Sequence, residues 1–248
     1  MQQLIVSIPA LPIISAILIQ VLSARLAQRV AWVSVAATGM TFALTVLMLG
    51  LELAGLSAHH FGTSFGWAVL FNDPLSAIMG VLIAGISLIV HLYSIRYMAE
   101  EPGYARFFVL LDLMTAALLV MVAAGDLVTL LVAWHIIGVL LYFLLGFDMR
   151  RQSPFRYAFW TFITYRIGDV ALVVAAAILF HAYGTWSLAD IVNAVIRAGL
   201  VIELLHEHDV CFYRQLPDMT QGPDGWWRLE KYGNKLPLTF SLRARRLL

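Results

Sequence analysis

Charged residues are scarce in this sequence. Only 12% of its 248 residues are Asp, Glu, Lys or Arg, while 61% are hydrophobic. That charged share is about half of what ordinary soluble domains carry, too little to coat a water-exposed surface. The net charge of +1 provides no basic face, so nucleic acid is not an expected partner. Cysteine is nearly absent. Cys211 alone excludes an intramolecular disulfide framework and any iron–sulfur site built from this chain. Phosphate-cradling glycine loops, nucleophile elbows and paired redox cysteines are missing as well. With no quinone, flavin or nicotinamide site in evidence, neither a cofactor nor a catalytic residue is expected. No basic leader precedes the first apolar stretch, 1–22, which therefore reads as a retained membrane helix rather than a cleaved signal.

What the sequence has instead is long apolar runs, with a mean hydropathy of +0.85. Crossing a hydrocarbon core of about 30 Å takes roughly 20 apolar residues in a helix. Six segments meet that length: 3–22, 31–53, 74–98, 107–124, 127–147 and 155–180. The runs are continuous rather than alternating, which favours helices over barrel strands. The expected fold class is all-α, a polytopic transmembrane bundle of six spanning helices lying in the inner (cytoplasmic) membrane.

Basic residues orient it. Arg25 and Arg29 lie in the first connection, Arg96 and Arg106 in the third, and Arg150, Arg151 and Arg156 in the fifth. The second, fourth and post-sixth connections carry no Lys or Arg, so the N-terminus is predicted outside and the basic loops in the cytoplasm. The second connection, 54–73, with Gly62, Gly66, Phe61, Phe65, Trp67 and Phe71, suits an interfacial hairpin. Residues 187–205 read as a surface amphipathic helix, with Ser187 and Asp190 spaced as in a capping box. From His206 to Leu248 the chain turns polar and basic, with Arg214, Arg228, Lys231, Lys235, Arg243, Arg245 and Arg246, and an irregular tail is expected. If the 187–205 helix does not cross, that tail breaks the charge rule, which marks it as foreign to the preceding architecture. The expected organisation is therefore 1–72, two helices and a hairpin; 73–186, core helices; 187–205, the amphipathic helix; and 206–248, the tail.

Ionisable groups inside apolar spans are the candidate functional residues. An Arg or Asp at mid-membrane costs roughly 2.5–3.5 kcal/mol on insertion scales, so such groups usually face a bundle interior or wet cavity. His135 falls in the middle of the fifth span and is either a proton-relay residue or a histidine hydrogen-bonded to a neighbouring helix. Gly138, three residues on, offers a close helix approach. In the sixth span, Arg166 and Asp169 are i,i+3 neighbours, either a packing lock or a pair that sets the field at a proton carrier. His91 in the third span is a relay member or an interfacial histidine. Asp112 and Asp126 read as boundary carboxylates. The run His206-Glu207-His208-Asp209-Val210-Cys211 holds metal-ligand types at a spacing that matches no common site, and it reads as a solvated stretch.

Several runs recur in one order: D-P-L-S-A-I-M from Asp73, L-I-V-H-L-Y-S-I-R-Y-M from Leu88, Y-A-R-F-F from Tyr104, W-H-I-I-G-V-L-L-Y-F-L-L-G-F from Trp134, Y-R-I-G-D-V from Tyr165 and L-F-H-A-Y-G-T from Leu179. Together they resemble the antiporter-like membrane subunits. These include the NuoL-type subunit of respiratory complex I, the MrpA-type sodium/proton antiporter subunit and the DabB subunit of inorganic-carbon uptake complexes, with the NuoL-type branch nearest by motif. The resemblance covers about 73–188 and implies the N-terminal portion of a larger protein with inverted five-helix repeats.

It also implies proton translocation with other membrane subunits as partners. His135 stands where the family usually carries a fifth-helix glutamate. Arg166, Gly168 and Asp169 match its sixth-helix pattern, and His91 matches its third-helix histidine. The family's seventh-helix lysine has no counterpart, and the G-N-K-L-P-L around Lys235 is not assigned its role. Three functions follow as expectations. The first is a proton-translocating subunit of an NADH:quinone oxidoreductase. The second is a coupling subunit of an inorganic-carbon uptake complex, whose partner would carry zinc, or of an Mrp-type antiporter. The third is an inactive truncated product.

Overall fold

A computed structural model describes residues 2–26, 29–54, 61–65, 68–147, 152–197, 200–208, 210–211, 220–228 and 239–246. Helix α1 spans Gln2–Leu26, α2 Val30–Leu53, α3 Pro74–Tyr97, α4 Tyr104–Val122, α5 Leu127–Leu145 and α6 Gln152–Tyr183. All six are long and apolar enough to cross a membrane, as the hydropathy of the sequence predicts. The hairpin β1 (Phe61–Phe65) and β2 (Ala68–Asn72) stands between α2 and α3.

Local chemistry sets several helix starts. Asp73 precedes Pro74 and closes a reciprocal capping box with Ser76: the Ser76 N–H donates to Asp73 Oδ1 (2.6 Å), and the Asp73 N–H donates to Ser76 Oγ (2.8 Å). Asp126 caps α5 by accepting from the Thr129 N–H at 2.9 Å. It is a boundary carboxylate, as expected, though a buried one. Proline at positions 9 and 12 inside α1 is tolerated because the helix has neighbours to accommodate it.

The bundle is inside-out in composition. Its buried positions are mostly small or hydroxylated: Ser15, Ala16, Ala31, Ser34, Thr38, Thr41, Ala84, Ala116 and Ala117. Large apolar side chains point outward, with Val21 at 72% exposure, Ile89 at 69% and Ile167 at 71%. Helices in lipid gain nothing from hiding leucine from lipid, so close backbone approach and hydrogen bonding hold them together. This is a multi-pass membrane protein.

Helix α1 packs against α2 and α4, α2 against α3, α3 against α4, α4 against α5, and α5 against α6. Phe108 of α4, fully buried, joins Ile19, Val30 and Ala31 in one core cluster, while Ile5, Met48 and Leu70 form another. Next to the hairpin, the α4–α5 connection is clamped on both sides. Phe71 N–H donates to Ala123 O and Gly125 N–H to Val69 O, while Leu127 N–H donates to Trp186 O and Leu188 N–H to Gly125 O. A β-carbon on Gly125 would lie 3.1 Å from the Val69 side chain, so glycine is what lets the strand come this close.

The chain divides into two compact units, residues 1–189 and 190–248. Helix α7 (Leu188–Arg197) is strongly amphipathic but shorter than the expected 187–205, because Leu200–His208 is strand β3. The tail is not irregular throughout. Strand β3 pairs antiparallel with β7 (Thr239–Arg246), and β4 (Val210–Cys211) and β5 (Thr220–Gln221) flank β6 (Trp227–Arg228). The short apolar run Val201-Ile202-Glu203-Leu204-Leu205 suits a strand as well as a short helix, and backbone pairing with β7 decides between them.

Candidate functional site

Two ionisable pairs lie within the spans. The first joins α3 to α4. His91 and Asp112 are both fully buried, and His91 Nε2 lies 3.1 Å from Asp112 Oδ1. Ser34 of α2 donates its hydroxyl to the same Oδ1 at 2.7 Å. On the other side of the ring, His91 Nδ1 lies 2.7 Å from the Ser87 carbonyl oxygen and 3.3 Å from Ser87 Oγ. A carbonyl has no proton to give, so Nδ1 must be the donor. The Thr115 hydroxyl donates to Leu111 O (2.9 Å), which leaves the Ser87 hydroxyl to donate to Thr115 Oγ1. Asp112 Oδ2 has no hydrogen-bond partner among the described residues.

This geometry corrects one sequence expectation. Asp112 is not a boundary carboxylate but stands near the middle of α4, buried against His91. A signal was available. His91 stands six residues before the end of α3 and Asp112 eight after the start of α4. Antiparallel neighbours joined by a short connection bring such positions to one depth. Below Ser34 on the same face of α2, Thr38, Thr41 and Thr45 are also buried, each donating its hydroxyl to its own helix backbone. Thr45 opens into a cavity of about 40 Å³ that Asn72 and Ser76 also line.

The second pair lies within α6 and is tied to α5 by Trp134. Arg166 Nη2 lies 3.0 Å from Asp169 Oδ2, the i,i+3 pairing that the spacing predicts. The contact is electrostatic rather than an aligned hydrogen bond, since Oδ2 has no geometrically sound donor among the described residues. The aligned bond to this carboxylate comes from α5: the Trp134 indole N–H donates to Asp169 Oδ1 at 2.9 Å. The Arg166 guanidinium also lies over the Phe162 ring, 5.1 Å from its centroid.

His135 is not joined to this pair. It follows Trp134 by one residue and is thus turned about 100° around the helix. Its Nδ1 lies 2.7 Å from Leu131 O, so that nitrogen carries the proton and Nε2 is the acceptor of the neutral ring. The ring borders an open apolar groove along α5, lined with Leu131, Val132, Ile136, Val139 and Leu140. Gly138 does serve a close approach, but on the Trp134 face, where Arg166 crosses it. Trp134, whose indole N–H sequence reading passed over, is the α5 residue that reaches Asp169.

Among the described residues no group of three His, Cys, Asp or Glu is placed to hold a metal ion. The side chains of the His206–Cys211 run lie outside the described residues.

Residues 56–108 match the family model described as NADH-ubiquinone oxidoreductase (complex I), chain 5 N-terminus. Residues 124–209 match that of the NADH:quinone oxidoreductase/Mrp antiporter transmembrane region. The chain belongs to the antiporter-like membrane subunit family. Over 180 residues, 71% of the chain, it is 58% identical to a protein named probable inorganic carbon transporter subunit DabB1 of Halothiobacillus neapolitanus, and covers 32% of it. Over 130 residues, 52% of the chain, it is 36% identical to NADH-quinone oxidoreductase subunit L of Mycobacterium tuberculosis, and covers 20% of it.

The chain thus spans under a third of the length of these antiporter-like relatives, corresponding to an N-terminal portion. The Mrp complex from Dietzia sp. contains the same fold, with a TM-score of 0.66 at 23% identity over 77% of this chain and 21% of that one. An archaeal membrane-bound sulfane sulfur reductase contains it too, with a TM-score of 0.68 at 21% identity over 76% of this chain and 39% of that one. The higher of the two quoted sequence identities falls on the carbon-transporter branch, whereas the motifs pointed first to the quinone-oxidoreductase branch.

Proposed function

We propose that this chain is the proton-handling N-terminal part of an ion-translocating membrane subunit that works within a multi-subunit complex of the cytoplasmic membrane. The observation that carries this reading is the placement of His91–Asp112, fully buried between α3 and α4, and of Arg166–Asp169, partly buried and tied to α5 through Trp134, inside apolar spans. Ionisable groups are retained at such depth at a cost of several kcal/mol, and moving a proton gives them a use. In this reading His91, Arg166 and Asp169 set the interior charge. His135, with Nε2 open to the α5 groove, exchanges protons with groups brought by the rest of the assembly. No catalytic residue is assigned.

The branch with 58% identity supports a coupling role in inorganic-carbon uptake. A proton-translocating role in an NADH:quinone oxidoreductase of the NuoL type is the second reading, supported by the family models and the 36% relative. Affinity purification of the chain from its native membranes separates them. Carbon-uptake coupling expects a large soluble zinc protein to co-purify, and peripheral redox subunits would replace it with the second reading. Proteoliposomes holding the purified complex should acidify or alkalinise in a chain-dependent way. Membranes equally proton-tight with and without the chain would remove the function.

A further inference from the structure

The hydrogen-bond count around His91 admits few protonation states. Nδ1 must carry a proton, because its short contact is to a backbone carbonyl. Nε2 faces Asp112 Oδ1 at 3.1 Å. Two arrangements satisfy that contact. In one, Nε2 is protonated and donates to an ionised carboxylate; in the other, a protonated Asp112 donates to the Nε2 lone pair. Both hold a single proton between nitrogen and oxygen, and both leave the pair neutral overall. Removing that proton sets a lone pair against a carboxylate in a site sealed from water, so the discharged pair repels. A second loose end lies beside it: Asp112 Oδ2 is fully buried, and no described residue donates to it. Buried polar atoms are nearly always satisfied, and one that is not calls for an explanation.

We infer that His91 and Asp112 form a one-proton loading site, with Ser34 of α2 as the residue that positions its carboxylate. The inference rests on the proton-handling role proposed above and adds Asp112 to it. Loading and unloading transfer one proton and nothing else. Loaded, the pair ties α3 to α4. Unloaded, the bare Nε2 and the carboxylate repel while Ser34 still holds Oδ1, which loosens that tie, so proton occupancy and the α3–α4 contact change together.

The elements around the site bring Ser34 from α2 and Phe108 and Thr115 from α4, none of them ionisable. The other ionisable residues of those helices face outward or stand further along. Tyr93 and Tyr97 of α3 are exposed, Arg96 is five residues past His91, Tyr104 and Arg106 are eight and six before Asp112, Arg29 is five before Ser34, and Asp73 and Glu52 lie near the far ends of α3 and α2. A fixed ion pair would serve as a staple without any need to change its proton count. Replacing such a pair with well-packed apolar residues is often neutral or stabilising.

The test is nuclear magnetic resonance on the full chain in lipid nanodiscs, with ¹⁵N-histidine and ¹³C-aspartate labels, from about pH 5 to about pH 10. The expected result is loss of one proton from the pair as pH rises. The His91 Nε2 signal moves to that of an unprotonated nitrogen while Nδ1 stays protonated, and Asp112 ends ionised. Asp112→Asn, nearly isosteric, should abolish that step, and Asp112→Glu should restore one.

Ser34→Ala should keep the step but displace it along the pH axis. A pair that holds the same protons across the whole range, or a His91 titration identical in Asp112→Asn, overturns the inference. The wild-type titration alone decides if a variant fails to fold. Proton flux is read separately on the purified complex. Flux with a silent pair sinks this site and leaves the function standing, and a titrating pair without flux does the reverse.

Discussion

The guanidinium of Arg166 crosses α5 at Gly138, so close that a β-carbon there would overlap Nη2. This single contact ties the two halves of the α5–α6 interface to one residue choice. Glycine at 138 leaves room for the cation, and the cation is thereby held beside Asp169.

Gly138→Ala should push the guanidinium off its position and part it from Asp169. Nη2 is the end of a flexible side chain and moves at little cost, and alanine favours a helix over glycine by about 1 kcal/mol, so thermal unfolding in detergent should change little. Proton flux in the purified complex should fall. A variant as active as the parent would mean that the position of Arg166 does not matter to flux.

Trp134→Phe removes the aligned donor to Asp169 Oδ1 while keeping an aromatic ring. A buried acceptor left without its partner costs about 1–3 kcal/mol, so stability should drop by that order and Asp169→Asn should add little on top. The same contact predicts the outcome of a charge exchange. Arg166→Asp combined with Asp169→Arg would set a guanidinium against the indole N–H, donor facing donor, so the double change should not rescue either single one. Adding Trp134→Phe to the exchange should improve it; a double cycle of melting temperatures checks the coupling.

His135→Leu should assemble normally, since the ring bonds only to the backbone carbonyl of Leu131 and borders an apolar groove. Proton flux should be lost. Undiminished flux would remove His135 from proton exchange and leave it as a groove-lining side chain.

In the second unit, Asp224 receives both guanidinium nitrogens of Arg228. That hydrogen-bonded arginine lowers the carboxyl from 3.8 to about 2. A depressed folded-state value means that the contact helps the fold above pH 3.8, and that this help is lost as pH falls through about 2. The carboxyl is exposed, so the turn between β5 and β6 should loosen locally while the spans stay unaffected. A ¹³C titration of Asp224, compared with Arg228→Ala, reads the shift directly.

The helical plan was legible in the chain because hydrocarbon imposes one rule on it. Every backbone group must be satisfied within its own segment, so a run such as 127–147 announces its helix by length and apolarity alone. The Arg166–Asp169 pairing was legible for the same local reason, three residues of helical spacing. The tail was less so, since β3 exists through pairing with a strand more than thirty residues away.

Which face each helix turns inward was not written in the spans, because nearly all their residues are apolar and periodicity carries little signal. Packing alone sent Trp134 to Asp169 and its neighbour His135 to the groove. It also brought Asp112, which the linear order set at a membrane boundary, onto His91 and Ser34. The linear order by itself sets how many helices are long and apolar enough to cross and which charges lie within them. Only tertiary contact decided which groups meet across helix interfaces, because successive side chains point about 100° apart and the rotation of each helix selects the partner.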